Sequence, residues 1–196
     1  MDDIPLIDGY VAREVSEETF QPVFDAHYAS IFGSIVELPR REMIDDSAAA
    51  SRDALRKRMD NLLRVRWLVY HDNDVVGWTM GAQKTPDRYG MSNSVIFPEH
   101  RGRGVYTALL NALIARVAIE GFQVIESHHH ATNNAVLVPK LKTGFVITGT
   151  EFNDIYGLLV TLSYFVDQRR RDALDFRVGG RRVSEDVVNA LGYRTL

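Results

Sequence analysis

The interpretation of this chain depends on one stretch, Val95-Ile96-Phe97-Pro98-Glu99-His100-Arg101-Gly102-Arg103-Gly104-Val105-Tyr106. It runs from an apolar strand through a turn that contains two glycines into a helix. Backbone N–H groups in the first turn of a helix have no partners within the helix and lie at the positive end of its dipole, and glycine lets an anion approach the main chain closely. The stretch therefore predicts a pyrophosphate-binding turn.

Two common phosphate motifs do not fit this turn. A P-loop needs four residues between its glycines and a following Lys-Ser or Lys-Thr pair, and this turn has neither. A dinucleotide fingerprint needs a third glycine where Thr107 stands.

The turn instead resembles the Gln/Arg-x-x-Gly-x-Gly/Ala motif of the GNAT superfamily of acyltransferases. Arg101 and Gly104 match the motif, whereas Tyr106 replaces its small last residue. A tyrosine there would crowd the bound pyrophosphate or make the turn relax.

The order of features after the turn is also similar to that superfamily. Asn133 or Asn134 begins a helix, and Gly144-Phe145 precedes the next strand, so that the resemblance covers roughly residues 67–166. It implies a GNAT acyltransferase fold of the α/β (α+β) class. Such a fold has a mixed, mostly antiparallel central sheet of about six or seven strands, flanking helices, and a wedge between its fourth and fifth strands.

The resemblance implies acetyl-CoA as the acyl-donor cosubstrate, although a longer acyl chain stays open. Strand backbone would hold the pantetheine arm, the turn would hold the pyrophosphate, and an asparagine would contact the lower part of the arm. The residues assigned to these tasks are, in that order, Ile96 and Phe97; Arg101, Gly102, Arg103, Gly104, Val105 and Tyr106; and Asn133 or Asn134.

The implied reaction is direct attack of a primary amine, on a small molecule or a peptide, upon the thioester in a ternary complex. A strand amide would polarise the thioester carbonyl as an oxyanion hole does. The superfamily's general acid is often a tyrosine in the helix after the asparagine, but Lys140 or Leu141 stands at that place, depending on which asparagine is counted. Lys140, Tyr106 or water is then expected to protonate the leaving thiolate.

The candidate bases lie at the end of the fifth strand, where the wedge should open. Histidine titrates near neutral pH, so His128 is the first choice and Glu126 the second. Strand alternation places Glu126, His128 and His130 on one side, with Ser127 and His129 on the other. A polar strand end bonded to the backbone is the alternative interpretation. No metal site is expected, because neighbouring histidines in a strand point apart.

Composition sets the remaining expectations. The 196 residues contain no cysteine, which favours a reducing cytoplasm, and no apolar run approaches the length that spans a bilayer. A net charge of -3 gives no general attraction to nucleic acid. The expected partner is the amine acceptor, and a homodimer is possible.

The expected layout divides the chain into a GNAT domain at residues 1–166 and a C-terminal helical appendage at 167–196. Before the main sheet, a strand is predicted at residues 6–15, a helix after Ser16, and a second helix at about 51–64. By the resemblance, these helices and the loop at residues 37–47 shape the acceptor pocket. The arginine clusters at 169–171 and 181–182 are interpreted as exposed surface.

A second function remains possible from the sequence. Tyr106 and the missing tyrosine near Pro139 favour a non-catalytic GNAT-like domain that binds or senses acetyl-CoA.

Overall fold

The computed structural model describes residues 3–33, 43, 45–179 and 184–192. Its strands are β1 (Ile4–Pro5), β2 (Tyr10–Glu14), β3 (Arg64–His71), β4 (Asp74–Thr85), β5 (Arg88–Ile96), β6 (Val124–His130), β7 (Val146–Asn153) and β8 (Gly157–Phe165). Its α-helices are α1 (Glu17–Phe32), α2 (Asp46–Lys57), α3 (Val105–Ile119), α4 (Asn134–Thr143), α5 (Gln168–Arg177) and α6 (Glu185–Ala190). A short 3-10 helix, Pro98–His100, joins β5 to the turn before α3.

All eight strands form one sheet in the order β1-β2-β3-β4-β5-β6-β8-β7. The pairing is antiparallel except between β5 and β6, which run parallel. Their register begins at Arg88 with Val124 and ends at Gly90 with Glu126, although both strands continue well beyond those residues. The two strands therefore diverge, and the expected wedge between the fourth and fifth predicted strands is confirmed.

Helices cover both faces of the sheet. The larger apolar cluster lies on the α3 side, where Leu109, Leu110 and Leu113 pack against Trp67 and its neighbours. A smaller cluster on the α1 side joins Phe20 to Trp78. Both tryptophans are fully buried.

The N-terminal strand prediction was wrong in one respect. The predicted single strand at 6–15 is a hairpin, because Asp8 and Gly9 both have positive φ, at 43° and 81°. Two positive φ values in succession are the mark of a tight hairpin turn whose twist matches that of its strands. The turn adds β1 and raises the strand count from six or seven to eight.

The second predicted helix was displaced along the chain. The side chain of Asp45 accepts a hydrogen bond from the Ala48 amide at 2.8 Å, so α2 begins before residue 51. It ends at Lys57, and Arg64 already belongs to β3. Leu55 is 58% exposed, so the apolar side of this helix is not buried.

The C-terminal segment contains α5 and α6. The Asp167 side chain caps α5 by accepting from the Arg169 amide at 2.9 Å, and Arg170 forms an ion pair with Asp87 at 2.9 Å. Residues 37–42 and 44 of the predicted acceptor loop lie outside the described part of the chain, as do Arg181 and Arg182. Within the described ranges, every helix is too short or too polar to cross a membrane.

Candidate active site

Two cavities meet beside the wedge. The first, here called the α3 groove, has a volume of about 610 Å³ and runs along β5, the turn before α3 and the start of α4. The second, here called the wedge cavity, has a volume of about 420 Å³ and lies between β5 and β6. Both are lined by Phe32, Ser94, Asn133 and Val136. A ligand in the groove can therefore meet a ligand in the cavity at these four residues.

The turn before α3 leaves backbone amides available to a ligand. Gly104 occupies the N-cap position with φ 81° and supplies no side-chain cap. The first hydrogen bond of the helix runs from the Ala108 amide to the Gly104 carbonyl at 3.0 Å, so the preceding amides have no partner inside the helix. At Gly102, with φ 76°, an added Cβ would meet nothing within 4 Å. The turn is an open cradle lined with donors.

Arg101 adds a positive charge to this cradle. Its Nε donates to the Ile96 carbonyl at 2.8 Å, which ties the guanidinium to the end of β5. Arg103 points elsewhere, toward the Tyr10 hydroxyl at 3.3 Å. Arg101 therefore lines the groove, and Arg103 supports the N-terminal hairpin.

Tyr106 does not project across the turn. Its ring packs against the apolar cluster under α3, and its hydroxyl is buried without a hydrogen-bond partner among the described residues. Burial raises the pKa of this hydroxyl. Tyr106 lines the groove, but its hydroxyl is buried and is not exposed to a ligand there.

His128 lines the wedge cavity from β6. Its Nε2 lies 3.3 Å from a carboxylate oxygen of Glu151, and its side chain is 25% exposed. Partial burial and, secondly, the charge of Lys84 lower the pKa of this imidazole, against the opposing effect of Glu151. Histidine in this setting is neutral near pH 7 and able to accept a proton.

Glu126 lies on the same face of β6 but outside the wedge cavity. It forms an ion pair with Arg88 and lies 3.7 Å from Lys84 Nζ. It lines a separate cavity of about 520 Å³ between the sheet and α5. The paired carboxylate is therefore placed worse than His128 to deprotonate an amine in the wedge.

Lys140 projects into the core on the other face of β6. Its Nζ donates to Ser127 Oγ at 2.7 Å and to Met91 Sδ at 3.2 Å, and lies 4.9 Å from the centre of the Phe145 ring. The residue is 1% exposed and lines neither the groove nor the wedge cavity. Burial lowers the pKa of this amine to about 7. Lys140 cannot touch a substrate directly.

Replacing Lys140 with methionine is expected to stabilise the protein below pH 7. The unfolded lysine keeps the ordinary pKa of 10.5, so the unfolded state binds more protons than the folded state between about pH 7 and that value. The free energy of unfolding should therefore rise with pH through this window. Lys140→Met removes the penalty and should raise the free energy of unfolding by about 2 kcal/mol or more near pH 6.5.

Urea denaturation at about pH 6.5 and pH 9.5 measures this effect. Lys142→Met is the matched control, because Lys142 lies on the same helix but is exposed. Equal stability gains from the two variants would show that Lys140 carries no burial penalty.

The chain also matches a known protein family. The model of the Acetyltransferase (GNAT) family matches residues 32–145, which is more than half of the chain. The chain belongs to the GNAT acetyltransferase family. The turn, the asparagine at α4 and the wedge all lie within the matched residues. The expected family and enzyme class, an N-acetyltransferase, are confirmed.

Solved structures share this GNAT fold at low sequence identity. RimL, a ribosomal L7/L12 alpha-N-protein acetyltransferase in complex with coenzyme A, is 14% identical with a TM-score of 0.61, over 85% of this chain and 99% of that chain. The ribosomal-protein-S5-alanine acetyltransferase from Vibrio fischeri is 12% identical with a TM-score of 0.62, over 85% and 98%.

The yncA protein from Salmonella typhimurium, solved with its cofactor acetyl-CoA, is 15% identical with a TM-score of 0.57, over 82% and 95% of the two chains. Coenzyme A or acetyl-CoA is thus bound in two structures of this fold. Acetyl-CoA is accordingly supported as the expected cosubstrate. A comparison with curated protein sequences finds no match.

The predicted cofactor residues divide between the groove and other places. Those that line it are Ile96, Arg101, Gly102, Gly104, Val105, Tyr106 and Asn133. The Phe97 amide already donates to the Val76 carbonyl at 2.9 Å, and its ring packs on Trp78. Asn134 lies one residue inside α4 and lines neither cavity. Of the two asparagines, the structure brings Asn133 to the site.

Several residues of the site were not predicted from the sequence. Ser94, Phe32 and Val136 line both cavities, and Glu151 reaches the wedge cavity from β7. No local motif marks them, because they meet only through sheet pairing and helix packing. Among the described residues no cluster of histidine and acidic side chains is arranged to hold a metal ion.

Proposed function

We propose that this protein transfers an acetyl group from acetyl-CoA to a primary amine, on a small molecule or a peptide, by direct attack in a ternary complex. The observation that carries the proposal is the meeting of the α3 groove and the wedge cavity at Phe32, Ser94, Asn133 and Val136. Two separate ligand volumes joined at one point suit a reaction between two bound substrates.

The α3 groove fits the phosphate and arm of acetyl-CoA, which supplies the activated acetyl group. The free amides from Val105 onward and the Arg101 guanidinium would hold the pyrophosphate, since charge-assisted hydrogen bonds to phosphate are strong. Asn133 lies where the groove opens into the wedge.

His128 is the proposed general base for the acceptor amine. It lines the wedge cavity, its lowered pKa keeps it neutral near pH 7, and the carboxylate of Glu151 beside it stabilises the imidazolium that forms on protonation. The acceptor arrives as an ammonium ion and must lose a proton before it can attack.

The walls of the wedge cavity indicate the kind of acceptor. Tyr28, Phe32 and Tyr156 supply aromatic surface, while Glu151 supplies a carboxylate. Such a cavity suits a cationic amine attached to an apolar body. Two of the similar structures carry names that describe acetylation of ribosomal proteins, which supports including peptide N-termini among the acceptors tested.

Thermal-shift titration with acetyl-CoA and with CoA, followed by a free-thiol assay across a panel of small amines and peptides, tests the proposal. Stabilisation by both ligands and amine-dependent thiol release are expected. No stabilisation by either ligand would contradict the proposed donor site. Stabilisation without thiol release above background would favour the alternative, a domain that binds or senses acetyl-CoA.

Asn133 and Asn134 give a matched pair for the donor site. Asn133→Ala should raise the KM for acetyl-CoA by about fivefold to tenfold, because one hydrogen bond to the bound ligand is lost. Asn134→Ala should leave it unchanged, since Asn134 lines neither cavity. Initial rates of thiol release measure both. Equal effects would show that the arm does not pass between α4 and the wedge.

The remaining features are proposed on the same basis. Residues 1–166 would form the catalytic domain and 167–196 an appendage, with α5 fastened to the sheet through Arg170 and Asp87. The cytoplasm suits a cysteine-free enzyme that uses acetyl-CoA. A homodimer stays a prediction, which light scattering would test.

A further inference from the structure

A buried chain of hydrogen bonds leads from the core to the wall of the wedge cavity. Lys140 Nζ lies 2.7 Å from Ser127 Oγ, and Ser127 Oγ lies 3.1 Å from His129 Nε2. Lys140 and Ser127 are each 1% exposed. His129 lines the wedge cavity, although the strand alternation points it away from His128 and Glu126. The chain therefore joins a buried amine to the expected site of reaction.

The first of these hydrogen bonds has a fixed direction. A protonated lysine can only donate, so Ser127 Oγ accepts from Nζ and its own proton is free to be donated. The direction of the second bond depends on the tautomer of His129: when Nε2 is unprotonated it accepts from Ser127 Oγ, and the neutral ring then carries its proton on Nδ1. In that tautomer every donor along the chain points from Lys140 toward His129.

We propose that Lys140, Ser127 and His129 form a proton relay that protonates the sulfur leaving the thioester, with His129 as the group that touches the substrate. This inference rests on the proposed acetyl transfer. Lys140 is too deeply buried to act on the substrate without an intermediary. Ser127 and Lys140 thus act through His129.

The amine nitrogen bonds to the acetyl carbon, and the carbon–sulfur bond breaks with its electron pair on sulfur. His129 Nδ1 gives its proton to sulfur, Nε2 takes the Ser127 hydroxyl proton, and Ser127 Oγ takes a proton from Lys140. Lys140 ends as a neutral amine and the sulfur as a thiol. Solvent then returns a proton at His129 Nδ1, and the chain shifts back.

The surroundings of Lys140 favour release of its proton. Its Nζ contacts Met91 on β5, the Phe145 ring after α4 and Ser127 on β6. His129 is the next group, hydrogen-bonded to Ser127. No carboxylate of the described chain lies within ion-pair distance of Nζ. Burial lowers the pKa of Lys140 to about 7, which is below the value of about 8.5 for an ordinary thiol. Burial also lowers the pKa of His129, to about 3, so this ring passes a proton on without storing it.

Nucleophilic attack by Ser127 is a poorer explanation of the same contacts. A serine between a lysine and a histidine could in principle take up the acetyl group. Ser127 is 1% exposed and lines neither cavity, so a thioester cannot reach its oxygen. The geometry permits the passage of protons and excludes that of an acyl group.

The test compares Ser127→Ala with Ser163→Ala in the full-length protein. Ser163 is a matched control because it is 2% exposed on the neighbouring strand β8 and bonds to Thr148, away from the relay. For each protein, kcat and the KM for acetyl-CoA are measured across pH with the amine that the wild type acetylates fastest. Mass spectrometry of the protein after turnover detects any acetyl-serine.

Because the relay works only while Lys140 is protonated, kcat of the wild type should fall as pH rises through about 7. Ser163→Ala should keep this falling limb of the pH–rate profile. Ser127→Ala should lose it and show kcat about 10- to 100-fold lower below pH 7, with the KM for acetyl-CoA changed less than about twofold. The relay would be overturned if Ser127→Ala had the kcat of the wild type and the same fall in kcat above pH 7. Acetylation of Ser127 in the wild-type protein would also overturn it.

Nitrogen NMR of histidine-labelled wild-type protein gives a second result that needs no turnover. His129 is assigned by its loss in His129→Gln. Its Nε2 should be unprotonated and its Nδ1 protonated at neutral pH, whereas a protonated Nε2 would overturn the relay. If the wild type acetylates no amine, the proposed function fails, and this spectrum still decides whether the hydrogen-bond chain exists.

Discussion

Arg101→Glu is expected to weaken acetyl-CoA binding by at least about 100-fold, because it removes a charge-assisted contact and places a carboxylate beside the pyrophosphate. The structure holds Arg101 at the groove through the bond from its Nε to the Ile96 carbonyl. The adjacent helix amides cannot compensate, since a carboxylate at the same turn competes for them. Isothermal titration with acetyl-CoA and CoA measures the loss.

Arg52→Glu provides the control for net charge. It makes the same charge change on α2, where Arg52 is exposed and lines neither cavity. Its affinity for acetyl-CoA should match that of the wild type. If Arg101→Glu also binds normally, the pyrophosphate lies elsewhere and the assignment of the α3 groove is wrong.

His128→Gln is expected to lower kcat by about 100- to 1,000-fold while leaving acetyl-CoA binding intact, because glutamine fills a similar volume but cannot accept the proton. In the wild type, His128 must be neutral to act, so the rate should rise as pH rises through its pKa. Since burial places that pKa below its usual 6.5, the rise in rate, which is the rising limb of the pH–rate profile, should lie below pH 6.5. The variant should lose this limb.

His71→Gln tests whether any histidine loss has the same effect. His71 ends β3, packs on the Tyr10 ring and lines neither cavity, so its removal should leave the rising limb in place. If His128→Gln keeps the kcat and the rising limb of the wild type, the base is another group of the wedge cavity, and Glu151 is the first to test.

The glycine-containing turn before α3 could be predicted from the sequence because its geometry is local. Two glycines, an arginine and the start of an apolar helix lie within a few residues, and backbone conformation over such a distance follows from the residues themselves. The same is true of the strand alternation that separates His128 from His129. The Asp8-Gly9 turn that forms the β1–β2 hairpin is equally local, because Asp-Gly is a strong hairpin signal.

The error in α2 has a different cause. The spacing of Leu55, Met59 and Leu62 predicts a buried helix face, yet Leu55 and Met59 are more than half exposed. Periodicity states which residues share a face, but it does not state that another element covers that face. Only the placement of neighbouring elements can decide burial.

The sequence by itself determined the family, the fold class and the glycine-containing turn before α3, because each depends on residues that are close along the chain. The tertiary structure decided which of these residues meet. It brought Asn133 to the junction of the two cavities and turned Glu126 toward Arg88. It also buried Lys140 behind Ser127 and His129, a connection between α4 and β6 that depends on how a helix packs on a sheet. The pKa values follow from that packing, since burial has no local signature in sequence.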